Sequence, residues 1–232
     1  MQDSVNNQSQ MKSYIQKIVL LLIVYLAITA QAGAQATGQK LQGTGLPPVI
    51  DGVLNDSTWM GAERFDSFMT YDPDYGHEMP FRTVAMISYD EENLYFAFHC
   101  ADPEPYKIKA SVDSRDNIIN DDWVCINLDS FNDQQSLYAF YVNPHGIQMD
   151  SRLSAGVENK NMDYLWHSAG VTDSTGYSVE MAIPLKSIRF PRGDTVTMGL
   201  IMERRISRLM VSGTYPALDP DMGMAFQAQM MP

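Results

Sequence analysis

Cysteines and basic residues are both scarce in this sequence. Two cysteines among 232 residues cannot build a disulfide framework or a cysteine-rich zinc site. Only 16 Lys and Arg residues stand against 28 Asp and Glu residues, which gives a net charge of −12. Because contacts with nucleic-acid phosphates and with anionic membrane surfaces depend on clustered cations, this balance argues against both kinds of partner. Hydrophobic residues make up 45% of the chain, enough for one sizeable core.

Short catalytic motifs are absent as well. The sequence contains no G-x-S-x-G elbow, no H-E-x-x-H motif, no Walker loop and no G-x-G-x-x-G before a helix. Its four histidines are scattered without the spacing of metal ligands. We therefore assign no catalytic residue, and we predict a protein that is not an enzyme and requires no cofactor.

The first 34 residues have the three-part layout of a secretory signal peptide. Lys12 and Lys17 form a positive region, Ile18 to Thr29 form an apolar run, and small residues then offer A-x-A cleavage sites. The polar residues before Met11 add nothing to a signal, so we take Met11 as the true start. An uncleaved membrane anchor is the alternative, although the run is shorter than the ~20 residues that a bilayer span needs. We expect an exported protein that is periplasmic, outer-membrane-associated or secreted.

A short linker and one domain account for the rest of the chain. Residues 35–48 are small and polar with Gly and Pro among them, which is typical of a linker. Short segments of strand character, separated by turn residues, recur through residues 49–232. The clearest of these segments are 83–89, 93–100, 123–129, 136–143, 176–184 and 196–205.

Helical pattern is sparse within this domain. One short helix is expected over residues 55–63, and a second turn over residues 185–188. Most of the strand segments alternate apolar and polar residues with a period of two. The pattern predicts an all-β fold, a β-sandwich of jelly-roll type with one or two short helices.

The exported compartment raises the question of a disulfide between Cys100 and Cys125. Alternation places Cys100 on the apolar side of its strand, whereas Cys125 lies opposite the apolar residues of its own strand. The two thiols therefore belong to different kinds of face, and their pairing stays open.

An acidic loop offers oxygen ligands. Asp72, Asp74 and Glu78 surround Gly76 in the stretch YDPDYGHE. Alternating carboxylates around a glycine suit Ca²⁺, which takes six to eight oxygen ligands. The loop therefore predicts a structural calcium site, and a solvated acidic turn is the alternative.

A second polar loop combines the residue types that bind neutral sugars. It carries Arg115, Asp116, Asp121 and Asp122 and leads directly into Trp123. Planar polar side chains hydrogen-bond vicinal hydroxyls, and aromatic faces pack on sugar C–H surfaces. Because alternation turns Trp123 away from the apolar side of its strand, it is a candidate platform. A tryptophan covered by another segment is the alternative.

Trp166 is a further candidate for sugar contact. It lies in a polar and aromatic stretch between two strand segments, where we expect it to be exposed. Together with Arg115 and Trp123 it would complete a saccharide site.

Seven stretches in order resemble the family 9 carbohydrate-binding modules. The likeness is closest to the N-terminal domain of bacterial exported proteins that continue into an uncharacterised outer-membrane β-barrel. The matching stretches are VIDGVLNDSTW (49–59), ISYDEENLYFAFHCADPEP (87–105), SRDNIINDDWVCINLDSFND (114–133), YAFYVNPHGIQMDSR (138–152), LW (165–166), GYSVEMAIPLKSIRFP (176–191) and ERRISR (203–208).

This resemblance implies a β-sandwich that binds saccharides without catalysis, in the setting of xylan-type polysaccharide breakdown, and that can hold structural calcium. It also implies two tryptophans that clamp the sugar. The first would lie near Ile119, and the second near the C-terminus, where this chain has Tyr215 and Phe226. Trp123 and Trp166 are the candidates to replace them, while Arg115 and Asp122 match the polar contacts of the family's loop.

Two other functions stay open. The domain could be the plug or interaction domain of an outer-membrane β-barrel that has lost sugar binding. In that case its C-terminal end would be shortened, since the longer relatives continue into the barrel. Alternatively it could be part of a glycoside hydrolase, a hypothesis that rests only on the association of such modules with those enzymes.

Overall fold

Two antiparallel sheets packed face to face build the protein. The computed structural model describes Leu41, residues 43–222 and residues 226–232, the side chains of residues 226 and 227 excepted. One sheet has five strands in the order β1-β3-β4-β10-β9, and the other has seven in the order β2-β12-β11-β5-β6-β7-β8. This arrangement confirms the predicted all-β sandwich.

The strands fall at the following residues. The five-stranded sheet contains β1 (Glu63–Phe65), β3 (Thr83–Tyr89), β4 (Asn93–Ala101), β9 (His167–Thr172) and β10 (Gly176–Pro184). The seven-stranded sheet contains β2 (Met69–Asp72), β5 (Trp123–Asp129), β6 (Ser136–Val142), β7 (Gln148–Ser154), β8 (Val157–Asn159), β11 (Gly199–Ile206) and β12 (Val211–Tyr215). The helix α1 covers Ser57–Gly61, and 3₁₀ turns cover Pro105–Lys107, Leu185–Ser187, Ser207–Leu209, Pro220–Met222 and Phe226–Gln229.

The main core lies between the two sheets. Alternate residues of the long strands point into it, among them Phe96 and Phe98 of β4, Ile126 of β5 and Phe140 of β6, all buried. The six predicted strand segments correspond to β3, β4, β5, β6, β10 and β11. The predicted helix and the predicted turn after Pro184 are also present.

A covering segment closes the outer side of the five-stranded sheet. Residues 50–62, which include α1, pack Trp59 and Leu54 on a second apolar cluster formed with Met86 of β3. The carboxylate of Glu180 in β10 anchors this segment, because it accepts hydrogen bonds from the Gly52 amide at 2.8 Å, the Asp51 amide at 3.0 Å and the Trp59 indole at 2.7 Å.

Removing this anchor has a predictable cost. We expect Glu180→Ala to lower the free energy of unfolding by about 3 kcal/mol, because it leaves two buried donors, the Gly52 amide and the Trp59 indole, and the part-buried Asp51 amide without an acceptor. Urea unfolding of the variant measures this loss. Glu91→Ala, at an exposed turn position, serves as the control and should change stability by less than about 0.5 kcal/mol. Equal stability of the two variants would contradict the anchoring role.

The N-terminal predictions fall largely outside the described part of the chain. The signal peptide and residues 35–40 and 42 of the linker are not described. The remaining linker residues contact the domain: the Thr44 amide donates to the Tyr89 carbonyl at 2.8 Å. Among the described residues, no helix has the length and apolar character that spanning a membrane would require.

Candidate functional site

Asp121 and Asp122 hold the loop that precedes β5. The Asp121 carboxylate accepts hydrogen bonds from the Ser111 amide at 2.9 Å, the Ser111 hydroxyl at 2.8 Å and the Asn143 amide group at 2.9 Å. Asp122 accepts from the Ser207 amide at 3.0 Å and is fully buried, and burial raises the pKa of its carboxyl. Both carboxylates therefore connect parts of the fold, and sugar contact through them stays a prediction.

Arg115 is directed toward β7. Its guanidinium donates to Asp150, to the Gln148 side chain at 2.8 Å and to the Tyr164 carbonyl at 2.9 Å. About a third of the side chain remains exposed. The Asp116 amide donates a hydrogen bond to the Gln148 carbonyl at 2.9 Å, which holds the Asp116 main chain beside the start of β7. Asp116 has a φ of 69°.

Trp166 and Arg115 both donate hydrogen bonds to the Asp150 carboxylate. The Trp166 indole donates to Asp150 at 3.1 Å, and its ring packs on Phe140 with centroids 5.4 Å apart. Only 3% of Trp166 is exposed, so the predicted exposure is wrong. The segment before β9 turns the ring into the core, and the sequence offered no periodic pattern there to reveal it.

The family resemblance implied two clamping tryptophans, near Ile119 and near Tyr215 or Phe226. Ile119 is exposed on the loop before β5. Tyr215 packs into the core against Phe65, with ring centroids 5.1 Å apart, and the side chain of Phe226 is not described. The predicted clamp positions therefore present no exposed aromatic ring among the side chains that are described.

Trp123 lies apart from the other candidates, on the outer side of the seven-stranded sheet. Val124, Ile126 and Leu128 of β5 face the main core, whereas Trp123 and Cys125 belong to a separate cluster. The predicted alternation of β5 is thus confirmed. Neighbouring segments cover most of the Trp123 ring, which is 5% exposed and meets Tyr141 edge-on at 5.2 Å.

Cross-strand pairing builds a continuous row of side chains on this outer side. Residues directly opposite each other in an antiparallel pair share a face. The row runs from β12 to β7 through Thr214, Glu203, Cys125, Tyr141 and Met149. It places the Glu203 carboxyl group between the Thr214 hydroxyl and the Cys125 thiol, with the Tyr141 ring beyond the thiol.

Further polar groups join the row from both sides. The Tyr71 hydroxyl donates to Glu203, and the Asn127 side-chain amide lies 3.4 Å from the other Glu203 oxygen. Arg205 stands opposite Trp123 in the neighbouring row. We define the outer face by these eight residues: Tyr71, Trp123, Cys125, Asn127, Tyr141, Glu203, Arg205 and Thr214.

Glu203 is the buried carboxyl group of the outer face. It is 6% exposed, and burial raises the pKa of its side chain from 4.5 to about 7. Hydrogen bonds from Tyr71 and Asn127 and the charge of Arg205 oppose this rise. At neutral pH the side chain is therefore partly protonated. The protonated form donates one hydrogen bond, and the carboxylate form accepts two or more.

Two buried polar atoms on the outer face have no hydrogen-bond partner within the described part of the chain. They are the indole nitrogen of Trp123 and the hydroxyl of Thr214. Buried donors of this kind are normally paired with protein, water or ligand. Together with Glu203, Asn127 and Arg205 they offer donors and acceptors beside two aromatic rings, and this combination suits a polyhydroxylated ligand.

The outer face is bordered by the loop before β5 and by the C-terminal segment. Ile118 is fully buried in the apolar cluster around Trp123, and Met230 packs against the same cluster. The Leu200 and Met231 main chains exchange hydrogen bonds at 2.8 and 3.1 Å, which holds the C-terminal segment beside β11.

The acidic loop does not gather its carboxylates. No group of three or more His, Cys, Asp or Glu residues in the described part of the chain could hold a metal ion. Asp72 instead forms an ion pair with Arg205 at 3.3 Å, and Asp74 accepts a hydrogen bond from Thr70 through its main-chain carbonyl. In this arrangement Asp72, Asp74 and Glu78 do not form one ligand set, and calcium binding by this loop stays a prediction.

Both cysteines are free and buried. Cys100 lies in the main core and Cys125 lies on the outer face, as the alternation predicted. Burial raises the pKa of each thiol, so neither is primed to react as a thiolate.

Sequence reasoning missed most of the outer face. Asn127 interrupts an otherwise apolar run in β5, and Glu203 follows the apolar residues 200–202 of β11. Alternation alone places both side chains away from the core. That signal was present in the sequence. The contribution of Tyr71 was not, because only the sheet order brings β2 and β12 beside β11. Two open pockets, of about 460 and 260 Å³, lie elsewhere and include no outer-face residue.

A two-sheet sandwich whose outer face combines aromatic rings with hydrogen-bonding groups has the architecture of a binding module. The family model for carbohydrate family 9 binding domain-like proteins matches residues 50–205. The chain belongs to this family, which confirms its resemblance to the family 9 carbohydrate-binding modules. No curated protein matches the chain.

A solved structure shows the same fold. A candidate carbohydrate-binding protein from Bacteroides uniformis aligns with a TM-score of 0.54 and 13% identity over 69% of this chain and 80% of that one. A family 9 carbohydrate-binding module from Caldicellulosiruptor kristjanssonii, in complex with cellotriose, aligns with a TM-score of 0.49 and 20% identity over 72% and 79% of the two chains. The glucose complex of such a module from the same organism gives a TM-score of 0.49 and 18% identity over 74% and 83%.

Proposed function

We propose that the protein binds saccharides without catalysis and that it does so on the outer face. The observation that carries this proposal is the unpaired indole nitrogen of Trp123, which is buried beside Tyr141, Arg205 and the cross-strand row that contains Glu203. A sugar hydroxyl can accept the indole hydrogen bond while Glu203 and Asn127 bind neighbouring hydroxyls. Membership of a carbohydrate-binding family supports the same function.

Two tryptophan variants test where the sugar binds. We expect Trp123→Phe to weaken saccharide binding at least about tenfold, because it removes the indole donor and part of the ring surface. Trp166→Phe is the matched control, since that indole already donates to Asp150 inside the core. Titration calorimetry with glucose, xylose, cellotriose and xylo-oligosaccharides measures both variants. Loss of binding in Trp166→Phe alone would place the site at Arg115 and Asp150 instead.

The class of saccharide also belongs to this proposal. We infer a ligand from plant-type polysaccharides, xylan included, from the resemblance of the chain to modules attached to xylan-degrading enzymes. The same titrations repeated with Ca²⁺ test the acidic loop. An affinity that rises with Ca²⁺ and falls again in Asp74→Asn would assign a calcium role to that loop. Hydrolysis of any of these sugars by pure protein would contradict a non-catalytic function.

Export is part of the proposed function, because extracellular polysaccharides are reached only outside the cytoplasm. The proposal rests on the positive region, apolar run and A-x-A sites of the first 34 residues. N-terminal sequencing of the protein from its native host should find a mature chain that begins near residue 35. An intact Met11 in the mature protein would contradict cleavage.

A role as a partner domain is the second candidate. The observation that favours it is that all three tryptophans are at most 5% exposed, so no indole ring lies open to a sugar face. If none of the saccharides binds to folded protein, we expect the outer face to contact another protein, with an outer-membrane β-barrel as the first partner to test.

A further inference from the structure

None of the ion pairs among the described residues includes Glu203. The charge of Arg205, two residues further along β11, acts on Glu203 from a distance, but the Arg205 guanidinium is directed to Asp72 at 3.3 Å and to the Ser212 hydroxyl at 3.0 Å. A buried carboxylate is costly unless it is paired and hydrogen-bonded. The outer face therefore contains one buried carboxyl group whose ionised form is joined to no cation by an ion pair among the described residues.

The other groups around Glu203 do not supply that charge. Tyr71 from β2 donates a hydrogen bond to it, and Asn127 from β5 lies at 3.4 Å, a long contact that leaves one carboxylate oxygen weakly used. Cys125 and Tyr141 stand beside it in the row with their pKa values raised by burial, so both are neutral.

Two other groups lie near the Glu203 side chain. Glu158, the carboxylate of β8, is neutralised by Lys160 at 3.5 Å. The buried hydroxyl of Thr214, directly opposite Glu203 in the strand pair, has no partner. It can accept a hydrogen bond from a ligand group that also reaches Glu203.

We propose that the outer face selects saccharides that carry a free amino group. An ammonium group supplies three donors and a positive charge, so it can pair with Glu203 and also donate to Thr214. A neutral hydroxyl in the same position supplies one donor and leaves the carboxylate unneutralised. This inference rests on the proposed saccharide binding. It ranks amino sugars above the neutral plant-type sugars as ligands, and the titrations below compare the two classes directly.

Three β-1,4-linked trisaccharides of matched length test the selection. They are the glucosamine trimer, its N-acetylated form and cellotriose, titrated calorimetrically at pH 7 into the full chain. We expect the glucosamine trimer to bind about tenfold tighter than either neutral trimer, since a hydrogen bond with a charged partner exceeds a neutral one by that factor. The preference should fall as salt is added.

Variants separate a specific ion pair from general attraction by an acidic protein. In Glu203→Gln the glucosamine trimer should bind about as tightly as cellotriose. Glu158→Gln removes an equal charge nearby and should keep the preference for the glucosamine trimer. Loss of the preference in both variants, or a preference unchanged in Glu203→Gln, would overturn the inference. Equal binding of all three trimers would overturn it and leave saccharide binding standing. No binding of any trimer would overturn both.

Discussion

Replacing Arg204 by alanine is expected to lower the free energy of unfolding by about 4 kcal/mol. Arg204 is fully buried in β11, and its guanidinium donates to the carbonyls of Phe81, Arg82 and Ala101 and to the Thr83 hydroxyl at 2.9–3.1 Å. These acceptors belong to β3 and β4 or the residues before them, so one side chain connects the two sheets. Its removal leaves four acceptor groups without their donor, at about 1 kcal/mol each.

Urea unfolding at pH 7 measures this effect. Because domains of this kind are stable by only about 5–15 kcal/mol, the variant should unfold at a clearly lower urea concentration. Arg82→Ala is the matched control, since the Arg82 side chain is 70% exposed and forms only a surface ion pair with Asp66. That variant should lose at most about 1 kcal/mol. A loss below 1 kcal/mol for Arg204→Ala would contradict its role between the sheets.

Replacing Glu203 by glutamine should change how stability depends on pH. The folded protein raises the pKa of this carboxyl from 4.5 to about 7. Between these values the folded state keeps a proton that the unfolded chain has released, so the contribution of Glu203 to stability is full below pH 4.5. It is lost as the pH rises through 7. The size of that loss is roughly 3 kcal/mol.

Urea unfolding at pH 5 and pH 8 checks the sign and the size. The difference in stability between Glu203→Gln and the wild type should increase by about 2.5 kcal/mol in favour of the variant from pH 5 to pH 8. The contributions of the other buried carboxyls cancel in this difference, because both proteins contain Asp122, Asp150 and Glu180. Glu158→Gln should show a much smaller change. A difference that stays constant with pH would mean that Glu203 does not titrate in this range.

The long strands could be predicted from the sequence because burial on one side gives a strand a period of two. β3, β5 and β10 begin and end at the predicted residues. The short strands β1 and β8, with three residues each, are too short to show a period. β7 carries Asp150 and Arg152 on its core-facing side, which concealed its pattern. Its place is set by contacts with distant residues such as Arg115.

The candidate site was predicted only in part. Alternation placed Trp123 correctly on the outer side of β5, although it could not show that Ile118 and Tyr141 cover the ring. The polar loop contained the right residue types for sugar binding, yet Arg115 and Asp121 use them within the fold. Their partners Gln148 and Asn143 lie 33 and 22 residues further along the chain. Local patterns carry no information about such contacts.

The most direct test of saccharide binding on the outer face uses the three indole N–H groups as separate reporters. In ¹⁵N-labelled protein, the variants Trp59→Phe, Trp123→Phe and Trp166→Phe assign the three indole signals. Two of these groups already donate to Glu180 and Asp150, whereas the Trp123 indole has no partner. On titration with a bound trisaccharide, we predict that the Trp123 signal shifts strongly and the other two stay in place. A shift of the Trp166 signal with an unchanged Trp123 signal would contradict the outer-face site.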